Sequence, residues 1–193
     1  MRDRIFFPLA GVLVLLMVFL GLQPGIGRLP SGPVAGDGTN YDRIVIEGEY
    51  LNKVIAGGDA RTRLLRTQDR GYVLQIDAEA GVLADAPELG PHFRLAPDIE
   101  VQFSGRRIRA TVRMRPADDQ GAMEAQANYS AGRVGESGWQ TFALQPGFTD
   151  FSFEYDVPLT SGEQGVDYFA VRPVVPEKRR SLLVERITLE RLP

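Results

Sequence analysis

"RRIRATVRMR", residues 106–115, places five arginines in ten positions of a chain whose formal net charge is −3. Ile108, Ala110, Val112 and Met114 share one parity, while Arg107, Arg109, Thr111, Arg113 and Arg115 share the other. A period of two marks a strand with one dry and one wet face. The wet face would carry a guanidinium row over roughly 25 Å, at about 3.3 Å per residue. Two readings of the row compete. In one, the arginines pair with acids on neighbouring strands, for which Asp150, Glu154 and Asp156, or Asp77 and Glu79, are placed by parity. In the other they grip carboxylates, sulfates or phosphates of a ligand in bidentate fashion. All 22 basic residues except Lys53 and Lys178 are arginine. That chain-wide bias weakens any argument from arginine alone.

The same period recurs on both sides of this stretch. It governs "YVLQIDAEA" (72–80), "AMEAQANYS" (122–130) and "TDFSFEYDV" (149–157). Shorter runs fit the scheme: "RIVIEGEY" from 43, "TRLLRT" from 62, "HFRLA" from 92, "IEVQF" from 99, "WQTFAL" from 139, "DYFAV" from 167 and "LLVERITLERL" from 182. Gly- and Pro-rich punctuation separates them. Beyond the N-terminus no segment carries a helical period over ten residues. The pattern predicts an all-β fold, an antiparallel β-sandwich of the jelly-roll kind over residues 41–193.

The N-terminus reads differently. Ile5 to Leu22 is an uncharged apolar run of about 18 residues, near the length that crosses a bilayer as a helix. No small-residue cleavage site follows closely, which favours an uncleaved signal-anchor over a cleaved signal peptide. Residues 1–22 are therefore expected to form one transmembrane helix. Arg2 and Arg4 before it favour a cytoplasmic N-terminus, against the weaker counter-bias of Arg28. The domain would then be extracytoplasmic, in the periplasm, at the cell membrane. Residues 23–40, dense in Gly and Pro, read as a linker. The chain has no cysteine. Thiol chemistry and disulfides are both absent, so stability rests on the hydrophobic core.

Catalytic signatures are missing. His92 is the only histidine, too few for a zinc site or an advertised acid–base pair. "GESGW" lacks the second glycine of a nucleophile elbow, and no phosphate-cradling glycine motif opens a helix. The acidic balance and the lack of a basic module with stacking aromatics argue against nucleic acid. "NYS" at 128 matches the glycosylation sequon but falls within a predicted strand.

The order "GYVLQIDA", "RRIRATVRMRPA", "GWQTFALQPGFTDFSFEYDVP", "DYFAVRPVV" and "LLVERITLE" resembles the galactose-binding-domain-like jelly rolls, in particular carbohydrate-binding modules of xylanases and cellulases. It covers about residues 43–192. The resemblance implies eight to ten strands and a polar sheet face that takes a saccharide. By strand parity that solvent-facing surface would draw on Arg107, Arg109, Arg113, Arg115, Gln126, Asn128, Asp150, Glu154 and Tyr168. Trp139, the single tryptophan, stands where the family more often has a core residue; core packing and a rim platform are its two readings. Several such modules hold a structural calcium near the first and last strands. Here Glu185 falls on an apparently inward parity, with Glu47 and Glu49 on the first strand, so either a metal or an arginine partner is expected. A salt bridge is the simpler expectation, and no cofactor is expected.

These observations together lead to an expected non-catalytic, membrane-anchored glycan-binding module, with an acidic glycan or envelope polymer as the ligand favoured by the arginine row. The alternative is a protein-docking subunit of an envelope or polysaccharide-export assembly. A glycan-active enzyme, with carboxylates from distant strands meeting in a cleft, is the weaker one.

Overall fold

The computed structural model describes residues 3–21, 28–39, 41–58, 60–69, 71–80, 86–160 and 165–193, with side chains from Phe6 onward. Helix α1, Asp3–Gly21, is followed by ten strands: β1 Arg43–Glu47, β2 Arg61–Thr67, β3 Gly71–Glu79, β4 His92–Arg94, β5 Arg107–Pro116, β6 Glu124–Ser130, β7 Gln140–Ala143, β8 Thr149–Asp156, β9 Tyr168–Pro173 and β10 Arg179–Arg191. A second helix, α2, spans Pro97–Phe103.

Two sheets result. The larger runs β2-β3-β10-β5-β8 with β1 also paired to β10; the smaller runs β4-β9-β6-β7. Every pairing between the named strands is antiparallel. The predicted sandwich is the observed one. β10 organises the larger sheet: Arg179–Val184 pair with β3, Arg186–Glu190 with β1, and almost its whole length with β5 on the other side.

The core lies between the sheets and follows the sequence period. Ile108, Ala110, Val112 and Met114 of β5 are buried, facing Ala125, Ala127 and Tyr129 of β6 and Phe169 and Val171 of β9. Aromatic contacts cross the interface, with ring centroids 5.6 Å apart for Phe142 and Phe151 and 6.5 Å for Phe153 and Phe169. Met123, placed by parity with Ala125, is instead 79% exposed, because β6 begins only at Glu124.

Two expectations fail locally. "IEVQF" was expected as a strand but lies in α2, where Pro97 opens the first turn and Asp98 and Glu100 stand at its positive end. Ile99 and Phe103, four apart, bury one face of it. Glu185 was expected to point inward. A β-bulge between Val184 and Arg186 resets the register, so Leu182 and Val184 face the core before it and Ile187 and Leu189 after it. Glu185 is thereby released toward Arg113 on β5, 2.6 Å away.

The described apolar side chains of α1 are mostly exposed, from Phe6 at 63% to Leu20 at 64%. Among the described residues no helix is long and apolar enough to cross a membrane. The structure thus gives the expected span of residues 1–22 no support.

Candidate functional site

The arginine row stands on the outer face of the larger sheet, as its parity predicts, and it is committed to acids. Arg107 meets Glu154 at 3.1 Å and Asp156 at 3.7 Å; Arg109 meets Glu154 at 2.8 Å. Arg113 meets Glu185 at 2.6 Å and Asp150 at 3.4 Å, and Arg115 meets Asp118 at 2.6 Å. Asp150, Glu154 and Asp156 are the cross-strand partners that parity named, since β8 pairs with β5 in the matching register. The side chains offered for an acidic ligand thus have their charge balanced within the protein. Glu185 is accounted for by its salt bridge, and Glu47 and Glu49 stay near β1 without it.

Gln126, Asn128 and Tyr168 belong to the other sheet and Trp139 immediately precedes its strand β7, so the structure splits the candidate residues between opposite faces of the sandwich. On the outer face of the smaller sheet three rows cross the strands. Arg94, Tyr168 and Ser130 form one; His92, Ala170 and Asn128 the next; Arg172, Gln126 and Thr141 the third. The middle row is covered. A 3-10 turn, Pro87–Leu89, lies across β4, β9 and β6, and His92, Ala170 and Asn128 are buried. His92 donates from Nδ1 to the Gly90 carbonyl at 2.8 Å and packs edge-on against Tyr168, so the one imidazole serves the turn. Asn128 donates to Glu136 at 2.9 Å and accepts from Ser137; buried in this way, it is no glycosylation acceptor.

Trp139 sits outside the core cluster, half-buried, with the Arg172 guanidinium 3.7 Å from its ring centroid. Arg172 also donates to Gln126, which donates to Thr141 at 3.1 Å. The core reading of the tryptophan fails because its ring lies against Arg172, whose side chain is on the outer face of the sheet. Its ring is faced by a cation, which leaves less of it open to a sugar.

The first row borders a cleft, with Ser130 itself buried in its wall. A cleft of roughly 360 Å³ is lined by Tyr168, Ser130, Glu88, Arg133 and the backbone of Gly132, Gly165 and Val166. Gly132 has φ +59°, and a Cβ there would press on the Val166 carbonyl at 3.0 Å. That close approach shapes the cleft wall. Beneath it lie two buried acids. Burial pushes the Asp167 carboxyl up to about 6, against the pull of the Tyr129 hydroxyl that donates to it, while Glu100 adds to the rise. Glu100 is raised in the same way by burial, partly offset by the Gly165 N–H it accepts.

Sequence reading found Tyr168 but missed Glu88, Ser130 and Arg133. Ser130 carried the parity signal; Glu88 and Arg133 sit in connections, where no period operates. Among the described residues no three acidic or histidine side chains gather as a metal site.

No family model matches the sequence, and no curated protein matches it. Solved structures do. The tandem CBM22-1–CBM22-2 region of Paenibacillus barcinonensis Xyn10C aligns at TM-score 0.51 and 10% identity, over 72% of this chain and 41% of that one. The arabinose-bound MgGH51 α-L-arabinofuranosidase aligns at TM-score 0.51 and 10% identity, over 83% of this chain and 28% of that one. The single CBM22-1 xylan-binding domain of the same Xyn10C aligns at TM-score 0.48 and 13% identity, over 72% and 85%. This chain spans well under half the length of the two structures that align best by TM-score among these three. At such identity the shared property is architecture. The chain shares the two-sheet antiparallel β-sandwich architecture of these structures.

Proposed function

We propose that the domain is a non-catalytic glycan-binding module held at the outer face of a membrane by the apolar run Ile5–Leu22. The observation that carries the reading is the Tyr168 cleft, where an aromatic ring stands beside a hydroxyl, a carboxylate and a guanidinium. An aromatic offers its face to the C–H side of a pyranose, and Ser130, Glu88 and Arg133 supply acceptors and donors for hydroxyls. Glu88 is the sole carboxylate lining this cleft among the described residues, whereas glycoside hydrolysis uses two. With the charge of the arginine row balanced by Asp and Glu, the ligand we propose is a neutral glycan rather than an acidic one.

The anchor rests on the exposed apolar side chains of α1 and on the sequence run Ile5–Leu22 that contains them. The basic residues before it support an extracytoplasmic domain.

The test is isothermal titration of the full chain in detergent with neutral and acidic oligosaccharides, beside Tyr168→Ala. Binding of a neutral oligosaccharide that weakens at least about tenfold in the variant supports the reading. No glycan binding by a folded chain would sink it.

A docking subunit is the second reading, favoured by one observation. A hollow of roughly 420 Å³ separates the free edge of β1 from residues 34–37, with Val45 and Tyr50 exposed at its rim. An open strand edge of this kind accepts a partner strand.

A further inference from the structure

We propose that the outer face of the larger sheet carries a second binding groove, built for an extended, neutral, hydroxyl-rich glycan chain. It lies on the opposite side of the sandwich from the Tyr168 cleft, and its occupancy does not depend on that cleft.

Two hollows, of roughly 760 and 310 Å³, meet at Leu183. Their floor is the outward positions of β3 and β10. One side is β2, from Arg61 to Thr67, roughly 20 Å at about 3.3 Å per residue. That length suits several linked rings rather than one.

The polar end is pre-organised from below. Asp77 is only 2% exposed and accepts from Gln75 at 2.7 Å, Ser181 at 2.6 Å, Arg63 at 3.2 Å and Arg179. Burial pushes its carboxyl up, but the hydrogen bonds from Ser181, Gln75 and Arg179 outweigh that and hold it below its ordinary value. A buried carboxylate therefore fixes two guanidinium groups in the lining. Each has five N–H donors, more than the contact with Asp77 uses.

The opposite wall is equally fixed. Residues 117–122 are sewn to Ser181 through the backbone: its N–H donates to the Gln120 carbonyl, and its carbonyl accepts from Ala117 and Ala122. Gln120 holds φ +51°, an uncommon conformation for a residue with a Cβ. A Cβ on Gly121 would fall 2.5 Å from the Ala117 carbonyl. Arg115 braces the wall by pairing with Asp118 and lying over the Phe148 ring at 5.2 Å. This is a positioning role for the last arginine of the row.

Charge and polarity select the ligand. Arg61, Arg63 and Arg179 face Asp77, Asp118 and Asp119, three cations against three anions, so neither a polyanion nor a polycation is favoured. Donors line the β2 side and acceptors the loop side, and a hydroxyl satisfies both. Toward Phe148 the lining turns apolar through exposed Pro146 and the half-buried Phe148 ring, over the buried Val73 and Leu183, a surface for the C–H face of a sugar ring.

The experiment is hydrogen–deuterium exchange of the full chain in detergent with xylohexaose, cellohexaose and an oligogalacturonate, for the native chain and for Arg61→Ala/Asp119→Ala. The native chain should show slowed exchange in 61–67 and 117–122 with a neutral hexasaccharide. The double variant, altered only at rim positions, should need at least about tenfold more ligand for the same protection. No protection of these segments by either neutral sugar overturns the groove, as does protection that the variant keeps unchanged or protection by oligogalacturonate alone. Protection confined to 165–168 would overturn the groove while supporting the Tyr168 reading; protection confined to 61–67 and 117–122 does the reverse.

Discussion

Asp167 shows how one buried group couples this fold to pH. Its carboxyl titrates near 6 in the folded chain against an ordinary value of 3.8, because burial disfavours the charge. A raised carboxylate binds more protons in the folded state between those values. Stability therefore falls as pH rises from about 4 to about 6, by on the order of 3 kcal/mol for this group. Glu100 shifts in the same direction. Asp77, Asp118 and Glu154 are lowered and act oppositely, their contribution being lost as pH falls through the acid range. Asp167→Asn keeps an acceptor for the Tyr129 hydroxyl and removes the ionisation. Urea unfolding at pH 5 and pH 7.5 should show the variant gaining stability at the higher pH relative to the native chain. An unchanged difference between the two pH values would contradict it. Parity reading could not see this group, since "DYFAV" shows Asp167 only as a polar residue before a strand.

At the scale of the element, β5 separates two kinds of residue that alternate along it. Ile108→Ala should cost about 2–5 kcal/mol through the cavity left between the sheets. Arg109→Ala, one position on, should cost under about 1 kcal/mol, because its pair with Glu154 is half in water. Chemical denaturation of both variants checks the contrast; similar losses would mean the outer ion pairs hold the sheet. The 117–122 wall makes a sharper case. Gly121→Ala should destabilise by about 1–3 kcal/mol and loosen the groove, since the Cβ would fall 2.5 Å from the Ala117 carbonyl and 2.8 Å from the Pro116 side chain. Heat denaturation and glycan titration of that variant report the two effects separately.

For the whole molecule, the proposed arrangement has two separated glycan surfaces on one anchored sandwich. Simultaneous contact with a polymer at both would raise its retention well beyond either alone. The anchor prediction belongs to this scale too. The full chain should sediment with membranes after a high-salt wash, and removal of residues 1–27 should leave the domain in solution. A full chain released by salt would assign α1 some other role.

Alternation of apolar and polar residues determined the strands, the antiparallel class and the dry face of β5, because a pleated strand turns successive side chains to opposite sides whatever its neighbours. The same rule placed Asp150, Glu154 and Asp156 beside the arginine row. It could not say which strands share a sheet. Register and strand order brought Arg107 to Arg115 to one face and Gln126, Asn128, Trp139 and Tyr168 to the other. Nor could it place Glu185, since one bulged residue reverses parity for everything after it. The "IEVQF" segment was too short for a helical period to declare itself, and Pro97 decided its start. The two clefts are tertiary in origin. Their walls are connections, residues 86–91, 117–122 and 132–135, whose positions come from long-range backbone hydrogen bonds and close glycine contacts rather than from any periodic pattern.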